Sequence, residues 1–253
     1  MIPYIFLFIV GIIFGSFYNV VADRLPNNES IIKPRSHCPN CNHVLKWYEL
    51  IPLISFIIQK GKCRKCYYKM SIWYFLSELL TGLLFCLSYY LFGFSYKTLE
   101  SIVIMSVIII TIISDIKYMI ILDSPLVVGT ILLIIIELYF QDIKVVLINL
   151  ISGLIMFLIL LIVKLIGDKV FKQESLGWGD VKFSFFAGFV LNIPIALIYL
   201  FLAAFIALPN ALYQSLRKGN SVTPFGPFLA MSLFLLYTYF NQVNYLIGIW
   251  LNI

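Results

Sequence analysis

Charge is what this sequence has least of. Of its 253 residues only 12% are Asp, Glu, Lys or Arg, 12 of them acidic, whereas 62% are hydrophobic. A soluble domain averages about 25% charged and roughly 45–50% apolar residues, so a water-solvated globular chain is excluded and the main solvent is lipid. With 14 Gly, 10 Pro and 5 Cys, collagen, a disordered chain and a secreted disulfide scaffold are excluded as well. The formal net charge of +6 fits either nucleic-acid binding or orientation in a membrane, and the placement of the charges separates the two.

A transmembrane helix needs about 20 apolar residues at roughly 1.5 Å rise each. Apolar runs of that kind occupy residues 2–21, 72–92, 99–113, 124–140 and 145–166, a split pair at 181–192 and 194–213, and 225–240. The sequence therefore predicts an all-α polytopic membrane protein of about eight transmembrane helices. The first run lacks a basic flank and a small-x-small cleavage site, so it is expected to be a span and not a signal peptide. Residues 22–71 do not suit lipid, hold most of the polar side chains, and read as a small water-facing loop domain.

With the amino terminus outside, this loop and every second later connection lie inside. The inside set is then Arg24, Lys33, Arg35, Lys46, Lys60, Lys62, Arg64, Lys65 and Lys69 in the loop, followed by Lys117, Lys164, Lys169, Lys172, Lys182, Arg217 and Lys218; only Lys97 and Lys144 remain outside. So strong a bias follows the positive-inside rule. The charge is thereby explained by orientation, with no nucleic-acid partner required, and the loop is expected on the cytoplasmic side of the plasma (inner) membrane.

Two knuckles, Cys38-Pro39-Asn40-Cys41 and Cys63-Arg64-Lys65-Cys66, stand 21 residues apart in that loop. Each C-x-x-C presents two sulfurs from one tight turn, and four thiolates so spaced suit tetrahedral zinc. A reducing cytoplasm disfavours disulfides, and a redox C-x-x-C comes once and on a helix. Four sulfurs leave no coordination site open for water, so the expected zinc is structural. His37 and His43 flank the first knuckle and are read as exposed loop residues, with substitution as ligands the alternative. Cys86 stands alone in the second apolar run and reads as a packing residue.

An acidic side chain within or at the lip of a span costs a few kcal/mol and is a functional candidate by default. The candidates are Glu78, Asp115, Asp123, Glu137 and Asp180. Asp115 ends one apolar run and Asp180 precedes another, both at the cytoplasmic lip, so the two can meet. Aspartic proteolysis needs such a pair. One carboxylate takes a proton from a water held between them while the other, protonated, polarises the scissile carbonyl, and two close carboxylates keep a shared proton because both cannot ionise cheaply. Gly177 and Gly179 let the backbone beside Asp180 turn and lie against an extended substrate. The bland alternatives are a helix cap for Asp180, a surface anion for Asp115 and a helix-start residue for Asp123 beside Ser124-Pro125.

Asp115 followed by Asp123-x-Pro125, then Gly177-x-Gly179-Asp180-x-Lys182, resembles the type IV prepilin peptidase family, the G-x-G-D membrane aspartic proteases. Gly15-Ser16-Phe17-Tyr18-Asn19-Val20, Arg24-Leu25-Pro26, the paired cysteine loop with Pro52-Leu53-Ile54-Ser55, Glu78-Leu79-Leu80-Thr81-Gly82 and Pro224-Phe225-Gly226-Pro227-Phe228 follow in the same order, so the resemblance covers nearly the full length. One departure is Ile121-Leu122-Asp123, where a proline before the aspartate is commoner.

The resemblance implies a catalytic pair Asp115 and Asp180, with Gly177, Gly179, Lys182, Asp123 and Glu78 as supporting motif residues. It also implies a division into a first helix (1–21), a four-cysteine loop (22–71) and a peptidase core (72–253). The implied reaction is cleavage of prepilin or pseudopilin precursors after a glycine at the cytoplasmic face, in a competence or pilus system of a bacterium. A second implied activity is methylation of the new amino terminus with S-adenosylmethionine, for which the sequence carries no G-x-G-x-x-G loop.

A transporter or channel subunit using Glu78, Asp115 and Asp180 as a proton or cation relay is the competing reading, and it expects acids at several depths and an inverted repeat. A zinc metalloprotease is excluded by the lack of H-E-x-x-H and of an open metal site.

Overall fold

The computed structural model describes residues 1–218 and 224–251, without the side chains of Ser215, Arg217, Lys218, Trp250 and Leu251. Arg217 and Lys218, two of the basic residues assigned to the inside, thus fall outside the described side chains. The described residues form helices joined by turns, with no strand. The helices are α1 (Ile2–Arg24), α2 (Ile54–Ile58), α3 (Ile72–Phe92), α4 (Tyr96–Tyr118), α5 (Asp123–Phe140), α6 (Ile143–Phe171), α7 (Trp178–Val190), α8 (Ile193–Lys218), α9 (Gly226–Thr238) and α10 (Phe240–Leu251).

Six of them, α1, α3, α4, α5, α6 and α8, are long and apolar enough to cross a membrane. The split pair is two separate helices, α7 and α8, broken at Leu191 and Asn192. At 13 residues each, α7 and α9 rise only about 20 Å, short of the roughly 30 Å hydrocarbon core. The chain is a multi-pass helical membrane protein, with six helices of spanning length among the described residues beside the expectation of about eight spans.

The chain divides into two compact units, Met1–Ile113 and Ser114–Ile253. In the first, α1 and α3 run antiparallel with their backbones almost touching. A Cβ on Gly11 would lie 2.7 Å from Gly82 Cα, and one on Gly15 would lie 2.9 Å from Glu78 Cα. Without a hydrophobic force between helices in lipid, such small-residue contacts provide the packing. Polar pairs inside the unit reinforce it: Tyr18 donates to Ser106 Oγ at 2.6 Å, Ser77 to Asn19 Oδ1 at 2.8 Å and Ser101 to Ser88 Oγ at 2.8 Å.

In the second unit, α6 and α7 pack antiparallel by the same means. A Cβ on Gly188 would lie 2.7 Å from Met156 Cγ, and one on Gly153 would lie 2.8 Å from the Phe185 carbonyl oxygen. Ser152 Oγ donates to the Leu191 carbonyl at 3.1 Å, fixing the register at the far end of α7. Phe183, Phe186 and Phe189 are fully buried, which anchors the short helix on the unit's interior. On the neighbouring pair, Ser232 of α9 donates to the Tyr199 carbonyl of α8 at 2.8 Å.

Candidate active site and metal centre

The cysteine loop is built from one local device used twice. At the first knuckle, Cys38 N–H donates to the His43 carbonyl and Asn42 N–H to the Cys38 carbonyl, both at 2.9 Å; at the second, Cys63 N–H donates to the Tyr68 carbonyl and Tyr67 N–H to the Cys63 carbonyl, again at 2.9 Å. Asn42 and Tyr67, at equivalent places, take the left-handed φ values of 54° and 57° that close each turn. Bridges His37 to Val44 and Lys62 to Lys69 clamp the two bases.

Together these turns bring Cys38, Cys41, Cys63 and Cys66 to within 4.8 Å of one another, sulfur to sulfur. Cys38 and Cys66 sulfurs are 3.7 Å apart, and those of Cys41 and Cys63 are 3.9 Å apart. Four sulfurs about 2.3 Å from a tetrahedral zinc stand about 3.8 Å from each other, so the donor set fits that ion. The separations far exceed a disulfide bond of about 2.05 Å.

The sulfurs also divide their charge unevenly. The Tyr68 N–H and the Asn40 side chain pull the Cys66 thiol down to about 6. Cys41, although it accepts from the His43 N–H, is pushed up to about 12 by desolvation and the other sulfurs. Thiolates this close repel until a cation joins them. His43 lies outside the cluster, its Nε2 set 3.3 Å from Glu49 Oε2. Burial would raise the Glu49 carboxyl, but the Lys46 N–H and His43 hold it below the ordinary carboxylate range. His37 Nδ1 sits 3.0 Å from the Arg35 carbonyl.

Glu78, on α3, serves this same unit. Its Oε2 accepts the Leu53 N–H at 2.8 Å, holding the start of α2 where Leu53 turns through a φ of 59°. Cys86, as expected of a packing residue, only donates to the Tyr4 carbonyl, at 3.3 Å.

Both predicted catalytic aspartates lie in the second unit. Asp115, buried at 5% exposure, stands in the last turn of α4. Its Oδ2 accepts the Gly226 N–H, the first of α9, at 2.8 Å. Asp180, 9% exposed, is the third residue of α7. It accepts the N–H of Gly177, the N-cap of that helix, in the manner of the acidic half of a capping box. The capping role and a place in the site therefore coincide.

The two carboxylates are near enough to repel each other. Burial first, then the Asp115 charge, pushes the Asp180 carboxyl up to about 7, against the opposing pull of the Gly177 N–H and the Lys164 ammonium.

The glycines around the pair are sites of close approach. A Cβ on Gly226 would lie 2.7 Å from Asp115 Oδ2 and 3.1 Å from Ile121 Cδ1; one on Gly179 would lie 2.7 Å from Ile121 Cβ. Ile121 thus fills the space between the starts of α7 and α9. Next to it, Leu122 is the N-cap of α5 with φ −78° and ψ 130°, close to the φ of about −65° that proline would impose. The departure from proline before Asp123 therefore leaves the turn unchanged. Asp123 opens α5 and takes the Lys182 ammonium on both oxygens, at 2.8 and 2.7 Å.

Two contributors escaped the sequence reading. Gly226 was visible as part of a motif, but not as a donor to Asp115. Lys164 was counted among the orienting cations, yet it is buried at 2% exposure. The available signal was an ammonium and a carboxylate at i,i+4, Lys164 and Asp168, at the end of a long apolar run.

Comparison with known proteins places these features in a family. Residues 9–92 match the bacterial peptidase A24 N-terminal domain, and residues 102–212 match the type IV leader peptidase family. A Myxococcus xanthus protein named prepilin leader peptidase/N-methyltransferase is 38% identical over 181 residues, 70% of this chain and 52% of that protein, so this chain spans about half its length. A Bacillus subtilis protein of the same name is 33% identical over 250 residues, 94% of both chains. One from Neisseria gonorrhoeae, also so named, is 28% identical over 275 residues, 96% of this chain and 93% of the other. No solved structure matches.

Proposed function

The chain belongs to the type IV leader peptidase family, and from that premise we propose that it is an aspartic endopeptidase that removes the leader of prepilin or pseudopilin precursors, cutting after a glycine at the cytoplasmic face of the plasma (inner) membrane. The observation that carries this reading is the approach of two buried carboxylates, Asp115 and Asp180, each held by one backbone N–H, with the Asp115 charge bearing on Asp180.

Asp180 is the acid of the pair. With its carboxyl pushed up to about 7, it carries the shared proton and polarises the scissile carbonyl. Asp115, its Oδ2 already bonded to Gly226 N–H, takes a proton from the attacking water. Gly177 keeps the exposed backbone beside Asp180 bare for an extended substrate segment, whereas Gly179, expected to do the same, is taken up by its close contact with Ile121. The Lys182–Asp123 pair ties the start of α5 to α7. Within this reading residues 72–253 form the peptidase core, and residues 22–71 form a cytoplasmic loop held by zinc on Cys38, Cys41, Cys63 and Cys66. The metal would supply cross-linking alone, since four sulfurs fill its coordination.

Methylation of the new amino terminus with S-adenosylmethionine is proposed from the relatives' name alone. The transporter or channel reading is not favoured, because the families matched are peptidases.

The test is incubation of the purified full-length chain, in lipid, with a prepilin precursor, followed by mass spectrometry of the product. Loss of the leader at a glycine supports the proposal. An uncut precursor, or a cut elsewhere, contradicts it. One added methyl group in the presence of S-adenosylmethionine supports the second activity, and an unmodified amino terminus counts against it.

A further inference from the structure

Lys164 is a buried cation that the proposed proteolysis does not consume. A desolvated ammonium costs several kcal/mol unless it is paired, and Lys164 has three partners. Its Nζ donates to the Leu176 carbonyl at 2.6 Å, lies 3.1 Å from Asp168 Oδ2 and sits 5.4 Å from the centroid of the Trp178 ring. The three lie at the end of α6 (Asp168), in the segment that follows it (Leu176) and at the first residue of α7 (Trp178). Leu176 and Trp178 flank Gly177, the N-cap whose N–H holds Asp180.

Asp168 extends the clasp. Its second oxygen, Oδ1, accepts the Ser175 N–H at 2.6 Å and the Ser175 hydroxyl at 2.8 Å. A single i,i+4 pair on α6 therefore fixes residues 175, 176 and 178, the approach to the G-x-G-D turn.

We infer that Lys164 is a positioning residue of the dyad: through the Leu176 carbonyl and the Trp178 ring it fixes the backbone from which Asp180 faces Asp115. This rests on the aspartic reading above. The groups facing Asp180 are Asp115 from the end of α4, Lys164 from α6 and the buried Tyr199 hydroxyl of α8. From α5, Asp123 is engaged with Lys182. The helix α9 carries no charged side chain and offers the Gly226 N–H. Lys164 is thus the cation of this set that acts on Asp180, beside one competing carboxylate.

Removing that cation makes the carboxylate pair harder to ionise, so the shared proton is kept to higher pH. The experiment measures kcat and KM for a prepilin precursor across pH, using full-length protein in lipid. The variants are Lys164→Gln, which keeps a hydrogen-bond donor and loses the charge, Lys164→Arg, which keeps the charge, Asp168→Asn and Asp180→Asn. For Lys164→Gln we expect kcat to fall about tenfold or more with KM within about twofold, and the alkaline limb to move up by about half a pH unit or more. Lys164→Arg should hold the limb at its wild-type position.

Asp168→Asn removes the carboxylate beside Lys164, so its kcat should fall while its limb does not rise. That variant carries the test alone if Lys164→Gln is not recovered folded. Wild-type kcat and limb in Lys164→Gln, or a limb raised equally by Lys164→Arg or by Asp168→Asn, would overturn the inference. Cleavage surviving in Asp180→Asn defeats the aspartic reading itself. An inactive Asp180→Asn beside a Lys164→Gln of wild-type behaviour defeats only the role of Lys164.

Discussion

Asp115 and Gly226 are joined by one hydrogen bond across 111 residues of sequence: the N–H of Gly226 donates to Asp115 Oδ2 at 2.8 Å. The glycine is needed for steric reasons, since a Cβ would sit 2.7 Å from that same oxygen. Gly226→Ala should therefore displace the carboxylate and lower kcat about tenfold or more, with the protein still folded. Cleavage kinetics and thermal unfolding in lipid check this; wild-type kcat in a folded variant would show that Asp115 does not depend on this contact.

Cleavage should fall as pH rises. Asp180, its carboxyl raised to about 7 by burial and the Asp115 charge, holds the proton that polarises the carbonyl. Below that value the proton is present; above it both carboxylates are ionised and the acid is lost. A pH profile of kcat/KM should show an alkaline limb near neutrality. A profile still flat well above neutral pH would separate Asp180 from the acid role.

The Lys182–Asp123 pair is geometrically close, at 2.7 Å, but its side chains are 44% and 60% exposed. Exposed pairs contribute about 0.2–1 kcal/mol, so Lys182→Ala should change thermal stability little. If the pair positions α5 against α7, exchanging the charges by Lys182→Asp with Asp123→Lys should recover part of the cleavage lost in either single variant. Equal loss in the single and double variants would place the two residues in separate roles.

Glu78→Gln retains an acceptor for the Leu53 N–H and should unfold close to the wild type. Glu78→Ala leaves that buried N–H unpaired, costing about 1–3 kcal/mol. Comparing the two unfolding midpoints reads this difference, and equal midpoints would mean that the bond carries no stability.

Purified protein should hold about one zinc per chain. Chelation or Cys38→Ser should reduce that below half an equivalent and expose residues 22–71 to proteolysis, because the bridges His37 to Val44 and Lys62 to Lys69 each clamp one knuckle and do not join the two. Full protection after complete metal removal would contradict a metal-held loop.

Much of this protein was legible in its sequence because lipid leaves few polar residues to sort. The spans containing α1, α3, α5 and α6 follow from apolar runs bounded by charge, and the paired C-x-x-C foretells the sulfur cluster. The 13-residue length of α7 and α9 was not legible, since hydropathy reports solvent preference and not the length the backbone keeps in helix. Lys164 looked like an orienting surface charge because burial beneath Leu176 and Trp178 is a tertiary fact. The fit of Ile121 between Gly179 and Gly226 was likewise hidden, as it joins three segments distant in sequence.

The decisive measurement is cleavage of a prepilin precursor by folded, lipid-embedded Asp115→Asn and Asp180→Asn, each compared with the wild type. Loss of about a thousandfold or more in kcat for either substitution alone is expected, because the dyad acts as a unit. Undiminished cleavage in both would contradict it.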